Sequence, residues 1–140
     1  MASSRIVVGR LLELDLAAGF KTPDEVDVFG AGIASVLFRR GAEGGKLVIV
    51  ADWRRFELAG PEVAERLMAL MRRNSPIIER NALLHRQHSA SMFQLFRLVQ
   101  EAENPSRRLF TDATELLGWI SEVLLPAELD RARHFLQVER

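Results

Sequence analysis

Two histidines and two serines lie close together in the chain and could carry acid–base chemistry. His85 and His88 are followed by Ser89 and Ser91. A histidine can take the proton of a serine hydroxyl, which predicts a hydrolase if a carboxylate from elsewhere orients the imidazole. We retain His85, His88 and Ser89 as candidate ligand-binding residues. The alternative is a pair of surface histidines beside a serine that caps a helix. No third metal ligand is apparent nearby, so no metal site is expected.

The segment Asp52–Phe56 combines aromatic and charged side chains directly after an apolar run. Loops after the carboxyl ends of parallel strands are where open α/β sheets place their sites. Tryptophan and arginine are enriched among residues that dominate protein–protein binding. This predicts a partner-binding surface, and its candidate members are Asp52, Trp53, Arg54, Arg55, Phe56 and Leu58. The alternative is that both aromatic side chains fold over the sheet edge as core while the arginines are solvated.

A glycine-rich segment, residues 41–46, is similar in composition to a phosphate-binding loop. Such a loop needs a helix N-terminus directly after it, because the backbone N–H groups there bind the phosphate. Here the pattern predicts a helix before the segment and a strand after it. A flexible connection between helix and strand is therefore the better interpretation.

Composition limits the classes of function. The chain has 140 residues, a formal net charge of zero and no cysteine. A zero net charge argues against a general nucleic-acid binder, which needs a positive excess. The lack of cysteine excludes disulfides and thiolate ligands. No run approaches the roughly 20 apolar residues that span a bilayer. We therefore expect a cytoplasmic protein with no membrane insertion and no cofactor.

Apolar periodicity predicts strands that alternate with helices. Leu47–Ala51 is a continuous apolar run, typical of a central strand covered on both faces. Thr22 and Asp112 each begin a capping-box pattern, and Pro61 suits the first turn of a helix. The predicted strands are Ile6–Val8, Leu11–Leu16, Leu47–Ala51, Ile77–His85 and Arg107–Thr111. The predicted helices follow Thr22 to about Arg40, Pro61 to Asn74, Ala90 to Glu103, Asp112 to just before Pro126, and Ala127 to Gln137.

This order predicts an α/β fold with a mixed, mainly parallel sheet of four to five strands covered by four to five helices. No linker or repeat divides the chain, so we expect a single domain over residues 1–140. Its core covers about residues 5–125, and a C-terminal helix follows at about 127–137.

Two finer patterns predict which side chains are buried. Leu12–Leu16 alternates apolar and acidic residues, which indicates a strand with one wet face near a sheet edge. In the helix that begins near Ala90, the predicted core side comprises Met92, Phe93, Phe96 and Val99.

Three features of the chain resemble the STAS domain, in its SpoIIAA-like, anti-anti-sigma-factor branch. An opening strand pair precedes a helix, and Leu-Val-Ile-Val-Ala-Asp precedes a loop and an amphipathic helix. The closing segments Arg107–Ala113 and Leu116–Ile120 are similar to the last strand and helix of that family. The resemblance extends from about Arg5 to Leu125.

The resemblance implies a small interaction domain that works by binding other proteins, and some relatives hold lipids or nucleotides. Family members that act as anti-anti-sigma factors carry a phosphoacceptor serine before the helix that follows the central strand. The corresponding segment here is Leu58–Pro61, which has no hydroxyl group. Control by phosphorylation at that site is therefore not expected.

The leading hypothesis is a non-enzymatic regulatory or scaffolding module that binds another protein, with a homodimer as an allowed assembly. The alternative is a domain that binds a lipid or nucleotide in an apolar pocket between sheet and helices. A third hypothesis is a hydrolase that uses His85 or His88 with a nearby serine.

Overall fold

A computed structural model describes residues 2–41 and 44–137. Residues 42 and 43, part of the glycine-rich segment, lie outside the described ranges. The strands are β1 (Ser3–Ile6), β2 (Leu11–Asp15), β3 (Leu47–Asp52), β4 (Ile78–Leu84) and β5 (Arg107–Phe110). The helices are α1 (Pro23–Arg40), α2 (Pro61–Asn74), α3 (Ala90–Glu101), α4 (Ala113–Ser121) and α5 (Pro126–Leu136), with a 3-10 turn at Ser75–Ile77.

The strands form one sheet in the order β1-β2-β3-β4-β5. β1 pairs antiparallel with β2, and the other three pairings are parallel. Each right-handed crossover moves one strand further along the sheet, so α1, α2 and α3 must lie on the same face. The chain then returns over the opposite face as α4 and α5. The predicted α/β fold with a mixed, mainly parallel sheet is confirmed.

β3 is the centre of the structure, as its composition predicts. Leu47, Ile49 and Ala51 belong to the core that packs against α1, α2 and α3. Val48 and Val50 belong to a second core that packs against α4 and α5. Because both faces are covered, every position from Leu47 to Ala51 is almost fully buried.

Capping residues fix where the helices begin. The Thr22 hydroxyl accepts a hydrogen bond from the Glu25 backbone N–H at 3.3 Å. The Asp112 carboxylate accepts two, from the Thr114 N–H at 2.7 Å and the Glu115 N–H at 3.2 Å. These oxygens satisfy N–H groups that have no partner within the helix. No helix in the described ranges is long and apolar enough to cross a bilayer.

The opening strand differs from the sequence prediction. β1 covers Ser3–Ile6, whereas Val7 and Val8 lie in the turn before β2. Gly9 has φ +57° in this turn, and a Cβ there would collide with the Glu128 carboxylate. That carboxylate accepts a hydrogen bond from the Arg10 N–H at 2.9 Å. Glycine is therefore required both by the backbone angle and by the close approach of α5.

The prediction of a wet face on β2 is wrong. Glu13 points away from Leu12 and Leu14, but α5 covers that face and leaves the side chain only 1% exposed. The Arg131 Nη2 donates to its carboxylate at 2.8 Å, and the Arg5 Nε donates at 3.1 Å. Strand alternation predicts opposite faces, but it does not say whether a later helix covers the polar one.

The predicted core side of α3 is wrong for its two phenylalanines, whereas Val99 does pack against the core. Ser91, Leu95 and Leu98 are buried, whereas Phe93 and Phe96 are 62% and 48% exposed. The buried set and the exposed set both have helical spacing, so the sequence pattern permits either face of α3 to be buried. α3 lies at one end of the three-helix layer, since it packs against α2 and the edge strand β5. Its two aromatic side chains lie on the side that none of the described helices covers.

Candidate functional site

The parallel strands end at one edge of the sheet, and the loops there carry both predicted segments. Asp52–Phe56 begins at the end of β3, and His85–Ser89 follows β4. The Trp53 N–H donates to the Leu84 carbonyl at 2.8 Å, which continues the pairing beyond β3. The structure therefore brings the two segments side by side at the carboxyl edge.

Both aromatic side chains of the first segment belong to the core. Trp53 and Phe56 are each 4% exposed, and their rings meet edge to face with centroids 4.6 Å apart. Phe20 packs on the other side of Phe56, with centroids 6.2 Å apart. This is the alternative in which both aromatics fold over the sheet edge. The two side chains cannot offer an exposed surface to a partner, and that part of the prediction is corrected.

Asp52 and Arg54 are paired with each other rather than free for a partner. The Arg54 Nε and Nη2 donate to the two Asp52 carboxylate oxygens at 3.0 Å and 2.9 Å. The Arg54 Nη2 also donates to the Leu136 carbonyl of α5 at 3.2 Å. The hydrogen bond that Arg54 donates to Asp52 raises the pKa of Arg54 above its ordinary value. The pair thus fastens the loop to α5.

Arg86 also lies at the carboxyl edge of the sheet, and the sequence prediction did not include it. Its guanidinium donates to the Arg54 carbonyl, to the Phe56 carbonyl at 3.3 Å and to the Ser91 hydroxyl at 3.2 Å. A Glu57 carboxylate oxygen lies 3.8 Å from it. One side chain therefore holds the loop after β3 and the start of α3. Its position two residues beyond β4 was the available signal, because side chains there face the neighbouring edge loop.

His85 is buried and neutral. It is 1% exposed, its Nδ1 accepts from the Arg86 N–H at 2.6 Å, and its Nε2 has no partner among the described residues. Burial, and then the Arg86 charge, lower the pKa of His85 to about 4, against smaller opposite effects of Glu57 and Asp52. No described hydroxyl is hydrogen-bonded to its ring, so the predicted pairing of a histidine with a serine nucleophile is not assembled here.

His88 and Ser89 lie in the turn before α3. His88 is exposed with φ +53°. The Ser89 hydroxyl accepts from the Met92 N–H at 3.1 Å and so caps α3. This matches the alternative of a surface histidine beside a capping serine. Across residues 2–41 and 44–137, no three histidine, aspartate or glutamate side chains converge as a metal site requires.

A polar cleft opens beside Asp52 and Arg54, between the carboxyl edge and α5. We call it the edge cleft; its volume is about 480 Å³. The residues that line it are Arg5, Asp15, Ala17, Asp52, Arg54, Arg55, Arg131, His134, Phe135 and Gln137. Arg55 is exposed, and its side chain has no hydrogen bond or ion pair within the described chain. Arg5 and Arg131 are paired with Glu13, and Arg54 is paired with Asp52. Arg55 is therefore the cation of the cleft that is left for an anionic ligand within the described chain.

A second exposed feature lies where the loop before α2 meets α3. The Ala59 N–H donates to the Gln94 side-chain oxygen at 2.9 Å, and the Gln94 amide donates back to the Ala59 carbonyl at 2.8 Å. Leu58 precedes this link and is 60% exposed, and Phe93 and Phe96 flank it on α3. We call Leu58, Phe93 and Phe96 the α3 patch. Residues three apart on a helix share a face, so the two phenylalanines are neighbours.

The chain was compared with family models, curated proteins and solved structures, and none of the three comparisons returned a match.

Proposed function

We propose that the chain is a non-enzymatic regulatory or scaffolding module that binds another protein through the α3 patch. The observation that carries this proposal is the exposure of three large apolar side chains around one fixed link, at 60%, 62% and 48%. Clustered exposed apolar side chains mark interaction sites in soluble proteins, and aromatic residues are enriched at interface cores. Leu58 keeps its place in the predicted partner surface, and the two phenylalanines replace Trp53 and Phe56.

The charges around the α3 patch define the partner's chemistry. Glu57 beside Leu58 has an 85% exposed side chain, and Arg97 beside Phe96 has an 81% exposed side chain. A rim with both signs suits a protein surface that has an apolar centre and mixed charges around it. It suits an anionic membrane or a nucleic acid less well, because those partners require a positive excess.

The resemblance to STAS domains supports the same proposal. The order of strands and helices fits it, and so do the closing Arg-Leu-Phe strand and the Trp-containing helix. In that family the phosphoacceptor that controls the partner switch lies at the start of the helix after the central strand. The equivalent segment here begins at Leu58, inside the α3 patch. We propose a cytoplasmic location on the basis of composition.

Replacing both Phe93 and Phe96 by serine tests the α3 patch. We expect the double variant to weaken binding of an identified partner at least about thirtyfold, because each buried aromatic anchor contributes about 1–2 kcal/mol or more at an interface. Partners captured from the native cell are first identified, then purified and titrated by calorimetry. The matched control is Phe38→Ser, since Phe38 is 87% exposed at the far end of α1.

Three outcomes would contradict this proposal. One is unchanged affinity in the double variant while Phe38→Ser weakens binding. Another is a wild-type protein that sediments as a dimer and a double variant that sediments as a monomer, since the α3 patch would then bind a second copy. The third is a partner that binds the Phe93→Ser/Phe96→Ser variant as tightly as it binds the Phe38→Ser control.

The edge cleft supports a second candidate function, the binding of a small anionic ligand such as a nucleotide. Its volume of about 480 Å³ lies within the about 300–1,000 Å³ of ordinary ligand pockets. The cavity between the sheet and α1 and α2 measures only about 40 Å³, too little for a lipid or nucleotide. The ligand hypothesis therefore moves from the predicted apolar pocket to the edge cleft.

Arg55 is the residue to change in the edge cleft, since it makes no described side-chain bond that its loss would break. With ADP as the probe, we expect Arg55→Ala to weaken binding about tenfold, as one charge-assisted hydrogen bond contributes about 1.5–3 kcal/mol. Calorimetric titration measures this, and Arg97→Ala is the control on α3. No binding of ADP or inorganic phosphate to the wild type at millimolar concentration would remove this candidate.

A further inference from the structure

A small cavity lies between the sheet and helices α1 and α2. Its volume is about 40 Å³. Most of its lining is apolar, but Trp53, Asn74, Asn81 and Arg107 also line it. One water molecule requires about 10–15 Å³ of such volume, so the cavity has room for a few water molecules or a small ion. A nucleotide or a fatty acid is far too large for it.

Three polar side chains on this cavity are more than nine-tenths buried and have polar atoms without a described partner. Trp53, Asn81 and Arg107 are 4%, 6% and 5% exposed. The atoms are the Trp53 Nε1, the Asn81 Oδ1 and the Arg107 Nε and Nη1. Buried polar atoms in native proteins are nearly always hydrogen-bonded. Each of these unpartnered atoms therefore indicates that the cavity binds a molecule or an ion.

Arg107 carries a buried charge that no described carboxylate balances. Its only described side-chain bond runs from Nη2 to the Met71 carbonyl at 3.0 Å, in the last turn of α2. The negative end of the helix dipole there offsets part of the charge. Burial lowers the pKa of Arg107 to about 10, so the guanidinium still carries its proton at neutral pH. An isolated buried charge is costly unless an opposite charge accompanies it.

We propose that the cavity is a binding site for one small monovalent anion of halide size, held by the Arg107 guanidinium and the Trp53 indole N–H. The unpartnered atoms offer N–H donors at three nitrogens and an acceptor only at the Asn81 oxygen. Water must donate as well as accept, whereas an anion only accepts. Rotation of the Asn81 amide would add its N–H₂ to the donors. Both the donor excess and the uncompensated charge therefore favour an anion over water.

Tryptophan fluorescence gives a direct test, because the chain has only two tryptophans. Trp119 lies on the other face of the sheet between Arg80 and Arg108. In a Trp119→Phe background, bromide is titrated against gluconate at constant ionic strength. We expect saturable quenching of Trp53 that chloride reverses. Adding Arg107→Gln should leave only weak quenching that rises linearly with bromide.

A second measurement uses the wild-type protein and does not depend on whether Arg107→Gln folds. Crystals soaked in bromide should show an anomalous peak within hydrogen-bond reach of the Arg107 Nη1. The thermal midpoint should rise with chloride at fixed ionic strength, because a ligand that binds only the folded state stabilises it. No saturable quenching, together with ordered water but no bromide at this position, would overturn the proposal. The α3 patch plays no part in these tests, so their outcome is independent of the proposed function.

Discussion

Replacing Arg131 by methionine is expected to lower the free energy of unfolding by about 3 kcal/mol, because it leaves a buried carboxylate short of its main partner. Glu13 is 1% exposed, and Arg131 is its contact from α5. Arg5 remains 3.1 Å from the carboxylate, but its own side chain is 64% exposed. The retained contact places the expected loss at the lower end of the range for a broken buried ion pair. Urea unfolding at pH 7 measures it.

Two further variants make this result specific. Arg133→Met removes a surface ion pair with Asp130 on the same helix, so we expect a loss below about 0.5 kcal/mol. The double variant Glu13→Leu/Arg131→Met should recover most of the lost stability, since apolar residues can replace a buried ion pair without net cost. If Arg131→Met and Arg133→Met are equally stable, Glu13 is solvated and the docking of α5 is misdescribed.

The second large effect is a pH dependence that comes from His85. Its pKa is about 4 in the folded protein and 6.5 in the unfolded chain. Between these two pKa values, His85 is protonated in the unfolded state and neutral in the folded state. The free energy of unfolding therefore falls as the pH falls. The contribution is intact above pH 6.5 and fully lost below about pH 4. At about 1.4 kcal/mol per unit, the wild type should lose about 2–3 kcal/mol from this group between pH 7 and pH 4.5.

Comparison of two histidine variants isolates this contribution from the titration of carboxylates. Chemical denaturation of wild type, His85→Asn and His88→Asn is measured at pH 7 and pH 4.5. We expect His88→Asn to lose as much stability as the wild type, because His88 is exposed. His85→Asn should lose about 2–3 kcal/mol less than either. An equal loss in all three proteins would show that His85 takes up its proton in the folded state.

The predictions that held rest on local physical rules. The run Leu47–Ala51 has no polar position, so it can lie only where both faces are dry, and the structure buries it between two helical layers. Thr22 and Asp112 cap helices because a short side-chain oxygen satisfies the free N–H groups of the first turn. Both results could be predicted without knowing which distant helices pack against these residues.

The predictions that failed depend on which helix or side chain covers a given face of a strand or helix. The pattern of α3 contains two apolar stripes, and only its packing against α2 and β5 decides that Leu95 and Leu98 are buried while Phe93 and Phe96 are not. Glu13 is covered by a helix more than 100 residues later in the chain. Trp53 and Phe56 could equally have lain on the surface, and the ring of Phe20 completes the core around them.

By itself, therefore, the sequence determined the α/β class, the central strand and the starts of the helices, because hydrophobic periodicity and capping act over a few residues. The tertiary structure alone decided the sites. It left Phe93 and Leu58 exposed next to the Ala59–Gln94 link, gathered arginines around the edge cleft, and placed Arg107 and Trp53 on one small cavity. Each of these sites joins side chains from separate strands and helices. Their proximity follows from the order of strands in the sheet and from the return of α5 across it.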